Sequence, residues 1–303
     1  MTPEQLSSRL EDTIGSAVDK IVKVSVGKQD EVYQRISTLV RDLEIDSNGG
    51  VKQSVKNLNA IGKVKAEIEK IFREKGYLSE VKKFAETIKE INALQKDYFT
   101  SIEGTFKPPS VVNAASNVSI DLIYESLTGA GINEQITKQV QQILKNNITS
   151  GGTFTQVLEG VRDFIKASPN TVGALEKYAR QIATDSMYQY AAQYDQIVTA
   201  DLEFEWYIYT GALIETSRQW CEACKKKKYI HKSELPNVVL GDFPEFEELD
   251  GKIYDKTGLP QGMIAGTNAQ NVLINRGGYN CGHRFIGVPT ASVPKSVRDA
   301  LIV

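Results

Sequence analysis

The sequence predicts an α+β protein that is predominantly α-helical. Long stretches before residue 200 carry apolar residues three and four positions apart with Lys, Arg and Glu between them, which is the pattern of amphipathic helices. One run, residues 204–210, is aromatic and β-branched and gives the clearest strand signal. All three cysteines and both histidines follow that run. We therefore predict a long helical N-terminal arm, followed by a mixed module of helices and a small sheet with a loop clamped by Cys and His side chains.

The N-terminal arm is predicted to begin with a capped helix at Thr2. The Thr2 side chain can cap the helix, Pro3 occupies the first helical position and Gln5 can complete a capping box. Two further apolar stripes, separated by Gly76 as a helix end, predict antiparallel helical hairpins or a short coiled coil. The first stripe consists of Ile61, Val64, Ile68, Ile71 and Phe72, and the second of Leu78, Val81, Phe84, Ile88, Ile91 and Leu94.

A pair of prolines marks the predicted end of the arm. Pro108 and Pro109 cannot lie inside a helix, and each restricts the residue before it, so residues 105–110 are the predicted linker. Three shorter amphipathic stretches follow, at residues 118–127, 132–144 and 154–165. The predicted organisation is a helical arm at 1–105, a linker and helical connector at 106–169, and an α+β module at 170–303.

The predicted α+β module begins with the longest helix candidate of the chain. Its apolar stripe follows Pro169 and Asn170 and runs from Val172 to Ile197. The strand at 204–210 comes next. We expect its sheet partners around residues 229–230 and at 284–288, where Pro289 stops the last strand.

Composition argues against several functional classes. The chain has 36 basic and 38 acidic side chains, so its overall charge favours neither nucleic acid nor an anionic membrane. No apolar run approaches the ~20 residues needed to cross a bilayer, and the polar N-terminus shows no signal-peptide pattern. We therefore expect a soluble protein made inside the cell, without a membrane partner. The HExxH, GxGxxG, GxSxG and P-loop motifs are missing, so we do not expect an enzyme.

The cysteines and histidines predict a structural zinc site. Cys221 and Cys224 form a Cys-x-x-Cys pair, whose two-residue spacer can turn both thiolates toward one metal ion. Cys281 and His283, two apart on predicted extended chain, can supply the other two ligands. Two alternatives stay open: the thiols are buried core residues, or Cys281 forms a disulfide with Cys221 or Cys224. His231 is the substitute ligand if His283 faces solvent.

Arg218 lies three residues before Cys221. The planar guanidinium group of arginine suits bidentate pairing with a buried carboxylate or with backbone carbonyls. We expect Arg218 to orient its loop, and a solvated position on the surface is the alternative.

The C-terminal part of the chain carries a family resemblance. A long helix containing residues 179–190 leads into the strand at 206–209, followed by Thr216-x-Arg218-x-x-Cys221, a step at 229–231 and the closing run 277–285 with Cys281-x-His283. Over residues 170–289 this resembles the shared module of tailed-phage minor head proteins, the head-morphogenesis family named after the F protein of phage Mu. In that family these Thr, Arg, Cys and His residues correspond to recurring positions. The chain departs from the family pattern at Cys224 and at Lys225, Lys226, Lys227 and Lys228.

The resemblance implies a structural component of a phage virion. Such a protein is present in few copies per capsid, at the portal vertex or in the capsid interior, and in the host cytoplasm during assembly. Its expected partners are the portal protein, the major capsid protein or both. Its expected roles are head assembly and DNA packaging or delivery.

Two other functions follow from the residues themselves. A zinc- or thiol-dependent hydrolase or nuclease delivered with the virion could use Cys221 with His231 or His283, or a metal-activated water, although four protein ligands would leave no open coordination position. Contact with packaged DNA could run through the four consecutive lysines at 225–228, because clustered cations neutralise phosphates. The acidic residues between 241 and 255 offer these lysines an intramolecular alternative.

Overall fold

The computed structural model describes residues 1–166 and 172–301. The chain is 67% helical and carries a small antiparallel sheet of three strands, which confirms the predicted fold class. Within the described ranges, no helix combines the length and the hydropathy that a bilayer crossing needs. Pro169, Asn170 and the predicted boundary between them lie outside the described residues.

Four helices form the first third of the chain: α1 (Pro3–Val26), α2 (Gln29–Arg41), α3 (Val55–Phe72) and α4 (Lys75–Glu103). The predicted capping box is present, because the Thr2 amide donates to Gln5 Oε1 at 2.8 Å and the Gln5 amide donates to Thr2 Oγ1 at 3.2 Å. The predicted helix end at Gly76 is wrong. The α3 helix ends before it, where the Arg73 amide returns to the Glu69 carbonyl, and Gly76 has no left-handed backbone and lies in the first turn of α4.

The next helices follow the non-helical residues 105–109, which contain the two predicted helix-breaking prolines. They are α5 (Ser110–Thr128), α6 (Ala130–Ile132), α7 (Lys138–Ser150) and α8 (Phe154–Ile165), with a π-helical turn at Asn133–Thr137 between α6 and α7. A second capping box begins α8, where Thr153 accepts from the Gln156 amide and the Gln156 side chain accepts from the Thr153 amide.

The C-terminal part contains the sheet. It begins with the long helix α9 (Ala174–Asp201), followed by strand β1 (Trp206–Thr210), helix α10 (Gln219–Lys227) and strand β2 (Tyr229–His231). The last strand is β3 (Arg284–Val288), and the strand order is β2-β1-β3, antiparallel throughout. The predicted strand and both of its predicted partners are therefore confirmed. Four short helices complete this part: α11 (Leu235–Leu240), α12 (Pro244–Glu247), α13 (Val272–Asn275) and α14 (Lys295–Asp299).

The chain divides into two compact units, each built from several segments. The sheet-bearing unit consists of Met1–Ser16, Thr87–Ser119 and Thr184–Val303, and the helical unit of Ala17–Glu86 and Ile120–Ala183. The boundaries between the two units fall inside α1, α4, α5 and α9. The predicted division at 105/106 and 169/170 stays a prediction.

The helical unit is held together by pairwise packing of α2, α3, α7 and α8. Each helix buries one apolar stripe, as expected for amphipathic helices that cover a common core. Buried Asn57 joins this core to the loop before α3, because its amide group donates to the carbonyls of Glu44 and Lys52 at 2.9 and 2.8 Å. The buried stripes include Val32, Ile36, Val64, Ile68, Val140, Leu144, Val157 and Val161.

The sheet of the other unit is buried on both faces. Alternate residues of β1 enter two different apolar clusters, because successive strand side chains point to opposite faces. Trp206 and Ile208 pack with Val288 and Val293 in the smaller cluster. Tyr207 and Tyr209 belong to the larger cluster, together with Trp220, Cys221, Cys224, Ile230, Val238, Phe246, Cys281 and Phe285. This larger cluster fixes the positions of the three cysteine side chains.

Candidate metal centre

Two thiols and one imidazole converge in the sheet-bearing unit. The Sγ atoms of Cys221 and Cys281 are 3.8 Å apart, and Cys281 Sγ is 3.7 Å from His283 Nδ1. The three ligand atoms all lie within 4.8 Å of one another. A tetrahedral zinc ion with its usual bond lengths separates two thiolate sulfurs by about 3.8 Å and a sulfur from a nitrogen by about 3.5 Å. The Cys221–Cys281 and Cys281–His283 distances are therefore close to those around a tetrahedral metal ion, and the third pair, Cys221 and His283, lies within 4.8 Å.

The cluster is assembled from two segments that are 60 residues apart at Cys221 and Cys281. Cys221 lies in the first turn of α10, and Cys281 and His283 lie immediately before β3. Residues two apart on extended chain point to the same side, so Cys281 and His283 both face Cys221. The His283 ring stacks on Tyr209 of β1 with centroids 5.5 Å apart and planes 8° apart, which fixes its orientation.

Glycines allow the backbone to approach the cluster. A Cβ atom at Gly277 would lie 2.3 Å from Cys221 Sγ and 3.1 Å from Cys281 Sγ. Gly278 has a φ of +104°, and a Cβ there would lie 1.9 Å from the Gly262 carbonyl oxygen. Both positions therefore require glycine, for space at the first and also for backbone conformation at the second. In the sequence, both glycines stand close to Cys281 and His283 in the closing run 277–285, where glycine predicts a close approach of the backbone to a metal ion.

The charges around the cluster favour an ionised Cys281. Hydrogen bonding from Cys221 lowers the pKa of the Cys281 thiol well below its usual range, assisted by His283 and by the Arg276 guanidinium. The same hydrogen bond, together with burial, raises the pKa of the Cys221 thiol. Arg276 is fully buried, and its Nη1 donates to the Cys281 carbonyl at 2.9 Å. The protein therefore stabilises negative charge on the sulfur that lies between the other two ligand atoms.

Cys224, the fourth predicted ligand, is not part of the cluster. It is fully buried in the apolar core, and this burial raises the pKa of its thiol well above the usual value. Both cysteines lie on α10, and the Cys224 thiol does not come within 4.8 Å of all three ligand atoms of the cluster. The two-residue spacer therefore does not turn both thiols toward one point. All three cysteines are free.

His231 is held elsewhere. Its ring packs on Trp206 with centroids 5.0 Å apart, and its Nδ1 is 2.7 Å from Ser233 Oγ. Nδ1 also accepts from the Ser233 amide, which caps the short turn Lys232–Glu234. His231 is therefore neither a reserve ligand nor a partner for Cys221 in this structure.

An open pocket of about 490 Å³ adjoins the cluster. Cys221, Cys281 and His283 all line it. The ring of His283 is buried, and its Nε2 has no hydrogen-bond partner in the described part of the chain. The rest of the lining is mixed. Its polar side chains belong to Glu11, Thr184, Tyr188, Thr216, Ser217, Arg218 and Asn280, and Ala212, Ile214, Tyr279 and Gly282 complete it.

Arg218 connects the pocket wall to the closing run. Its Nη2 donates to the Tyr279 carbonyl at 2.7 Å, across 61 residues of sequence. The side chain lies directly on Gly262, where a Cβ would be 2.2 Å from Arg218 Nε. The guanidinium group thus pairs with a single backbone carbonyl, and that it orients its loop stays a prediction.

The four consecutive lysines each have an intramolecular partner. Lys225 Nζ donates to the Gly211 carbonyl at 2.6 Å. The other three form ion pairs: Lys226 with Glu248 at 2.6 Å, Lys227 with Glu234 at 2.8 Å and Lys228 with Glu4 at 3.2 Å. One of these acids, Glu248, lies in the acidic segment 241–255, and the other two lie outside it.

Sequence reasoning missed the buried polar residues behind the pocket. Asp185 Oδ1 accepts from the Asn280 amide at 2.6 Å. The guanidinium groups of Arg276 and Arg284 lie 5.5 and 5.1 Å from the centroid of the Tyr188 ring. Asp185 and Tyr188 belong to α9, whose stripe predicts only core packing. The charged residue Asp185, within the apolar stripe of α9, was the signal in the sequence that could have indicated a buried polar group.

Thiolate and imidazole are the ligands that zinc and other borderline-soft divalent ions prefer. The buried cluster of Cys221, Cys281 and His283 could therefore hold a metal ion. Comparison with known proteins finds no family model that matches this chain, and no curated protein or solved structure with significant similarity to it.

Proposed function

We propose that this chain is a structural component of a phage virion, a minor head protein, and that a zinc ion on Cys221, Cys281 and His283 holds its C-terminal module closed. The observation that carries the metal site is the convergence of three buried ligand atoms within 4.8 Å. The resemblance over residues 170–289 supports the virion role.

The zinc ion would act as a clamp on a long excursion of the chain. The segment between Cys221 and Cys281 contains β2 and short helices of four to six residues, which are too short to be stable by themselves. Closing a loop of this length costs conformational entropy. A structural zinc ion contributes on the order of 10 kcal/mol in small peptides, which offsets that cost. The closed module would be rigid enough to dock on a larger assembly.

The proposed partners are the portal protein, the major capsid protein or both, in head assembly and in DNA packaging or delivery. Protein partners are favoured over direct DNA contact, because Lys226, Lys227 and Lys228 already form ion pairs with acidic residues of the same chain. A phosphate contact would have to replace these ion pairs. The proposed location is the portal vertex or the capsid interior, after assembly in the host cytoplasm.

The metal part of the proposal is tested by elemental analysis of the chain purified under reducing conditions. We expect about one equivalent of zinc, and we expect Cys281→Ser and His283→Ala to lose it. His231→Ala is the matched control and should keep the metal, because its ring is bound to Ser233. Absence of metal from the unmodified chain would show that the thiols are core residues.

The virion part is tested separately by fractionation. Mass spectrometry of purified particles should find the chain at a few copies per capsid, copurifying with portal-containing particles. A chain found only in the free fraction contradicts the virion role and leaves the metal result standing.

A second candidate function, a zinc- or thiol-dependent hydrolase or nuclease, is favoured by one observation: the cluster lines an open pocket. Hydrolysis of ester, peptide and nucleic-acid substrates by the chain, abolished by thiol alkylation, would support it. The structural role needs no such activity.

A further inference from the structure

We propose that the metal position in this cluster is open: three protein side chains bind the ion, and its fourth coordination position faces the pocket and accepts an oxyanion, a carboxylate or a phosphate group, from solution. The inference rests on the metal site proposed above and assigns that site a ligand. It changes the role of the ion from a clamp alone to a clamp that also binds a small molecule.

The number of protein ligands is the first step. In the described ranges, the group of ligand atoms around Cys281 contains only Cys221 and His283 besides Cys281 itself. The Cys224 thiol is buried in the apolar core instead of completing the set. Structural zinc sites usually have four protein ligands, whereas sites with three protein ligands keep one position for water or substrate.

The direction of the open position is the second step. Protein atoms cover the cluster on several sides: Gly277 packs under both sulfurs, Tyr209 stacks on the His283 ring, and the Tyr209 hydroxyl is 4.0 Å from Cys281 Sγ. The side left uncovered is the pocket, which all three ligand residues line although each is at most 5% exposed. A ligand from solution would therefore reach the metal through this pocket.

The chemistry of the pocket wall is the third step. Thr216, Ser217 and Arg218 line it together with the three cluster residues. Only Nη2 of Arg218 is used, in the hydrogen bond to Tyr279, so its other N–H groups have no hydrogen-bond partner among the described residues. Guanidinium and hydroxyl groups together bind carboxylate or phosphate oxygens. Glu11 adds one carboxylate to the lining, which favours a ligand with a single oxyanion group over a polyanion.

The size of the pocket limits the ligand to a small molecule or to the end of a chain. A volume of about 490 Å³ lies in the range of small-molecule sites. The experiment therefore uses two probes of different oxyanion chemistry, acetate and inorganic phosphate, each added to the chain loaded with Co²⁺ in place of zinc. Cobalt reports its ligands through its visible and thiolate charge-transfer absorption.

We expect a tetrahedral cobalt spectrum that shifts saturably with at least one probe, and the probe that binds more tightly identifies the ligand as carboxylate or phosphate. Arg218→Ala should weaken that binding by about tenfold with unchanged cobalt stoichiometry. Arg298→Ala, an exposed arginine on α14, is the matched control and should leave the titration unchanged.

Cys224→Ser separates the open site from a closed one. With an open site, the variant keeps its cobalt and its charge-transfer intensity, which arises from two thiolates. A loss of one third of that intensity, or a spectrum of the unmodified chain that neither probe moves, overturns the inference while the metal site stands. A chain that binds no cobalt at all contradicts the proposed metal site itself. The probe titration uses the unmodified chain, so this outcome does not depend on the folding of any variant.

Discussion

At the scale of single residues, the two thiols of the cluster occupy the space that a side chain at position 277 would need. A side chain at position 277 would meet Cys221 Sγ at 2.3 Å, closer than any relaxed contact. Cys221 and Cys281 are themselves fixed, by α10 and by the start of β3. The geometry of the ligand pair therefore depends on a residue that has no ligand atom.

We predict that Gly277→Ala impairs metal binding. The added methyl group must displace at least one sulfur or the backbone, and such overpacking costs about 1 to 3 kcal/mol. Metal content and thermal unfolding of the reduced chain measure both effects. Gly62→Ala on α3 is the control, because a Cβ there meets nothing within 4 Å, and it should keep full metal content. Equal metal content in the two variants would mean that the thiols move freely.

At the scale of secondary-structure elements, α9 packs against β3 through polar groups. The Gly287 amide donates to Asp195 Oδ2 at 2.8 Å, and the Tyr98 hydroxyl of α4 donates to the Gly287 carbonyl at 2.9 Å. A Cβ at Gly287 would lie 2.0 Å from Thr199 Oγ1, so the close approach of the helix requires glycine. Burial raises the pKa of Asp195 to about 7, and its Oδ1 has no hydrogen-bond partner among the described residues.

The raised pKa of Asp195 predicts a loss of stability as pH rises. In the unfolded chain an aspartate loses its proton near pH 3.9, whereas folded Asp195 keeps it to about pH 7. Between these values the folded state binds more protons, so the free energy of unfolding decreases as pH increases through this window. The contribution is fully present below pH 3.9 and lost above about pH 7, with an upper bound of about 4 kcal/mol.

Urea unfolding at pH 4.5 and 7.5 measures this contribution. Asp195→Asn should remove most of the decrease that the unmodified chain shows between the two pH values. Asp201→Asn, an exposed position on the same helix, should leave the decrease as it is. If the Asp195 and Asp201 variants respond to pH alike, Asp195 does not carry the effect.

At the scale of the whole molecule, the proposed metal ion and the apolar packing of the long helices would stabilise different parts of the chain. The proposed metal ion would join Cys221 to Cys281, whereas α1 to α4 bury apolar stripes of their own. Locally stabilised segments can open while the rest of a protein stays folded. The segment between Cys221 and Cys281 is therefore the part that should depend most on the proposed metal ion.

We predict that removal of the metal exposes residues 225–280 to protease and leaves the N-terminal helices intact. Limited proteolysis of the loaded chain, with and without chelator, should add cleavage sites only in that segment, and Cys281→Ser should give the same sites without chelator. His231→Ala provides the comparison, with the pattern of the unmodified chain. New cleavage that begins instead in α3 or α4 would contradict the model of a local clamp.

The sequence alone determined several of the long helices and the three strands. Period-3.6 apolar stripes marked α3, α4 and α9, the Thr2–Gln5 pattern marked the start of α1, and the aromatic run marked β1 with its two partners. These predictions succeeded because amphipathic periodicity and capping depend on neighbours within a few residues. Gly76 failed for a related reason: a glycine can end a helix or lie in its first turn, and only the hydrogen bond from Arg73 decides which.

The tertiary structure decided the composition of the site. The sequence predicted four zinc ligands, Cys221, Cys224, Cys281 and His283. The structure brings only three of them together, because sequence spacing does not show which side chains the folded chain places side by side. The fold buried Cys224 in the apolar core and formed the pocket from residues of α1, of α9 and of the loop before α10. Arg276 and Arg284 likewise contact the Tyr188 ring only because the fold brings together segments that are distant in sequence. Local patterns specify helices and strands, whereas convergence of ligands depends on long-range packing, which no short stretch of sequence encodes.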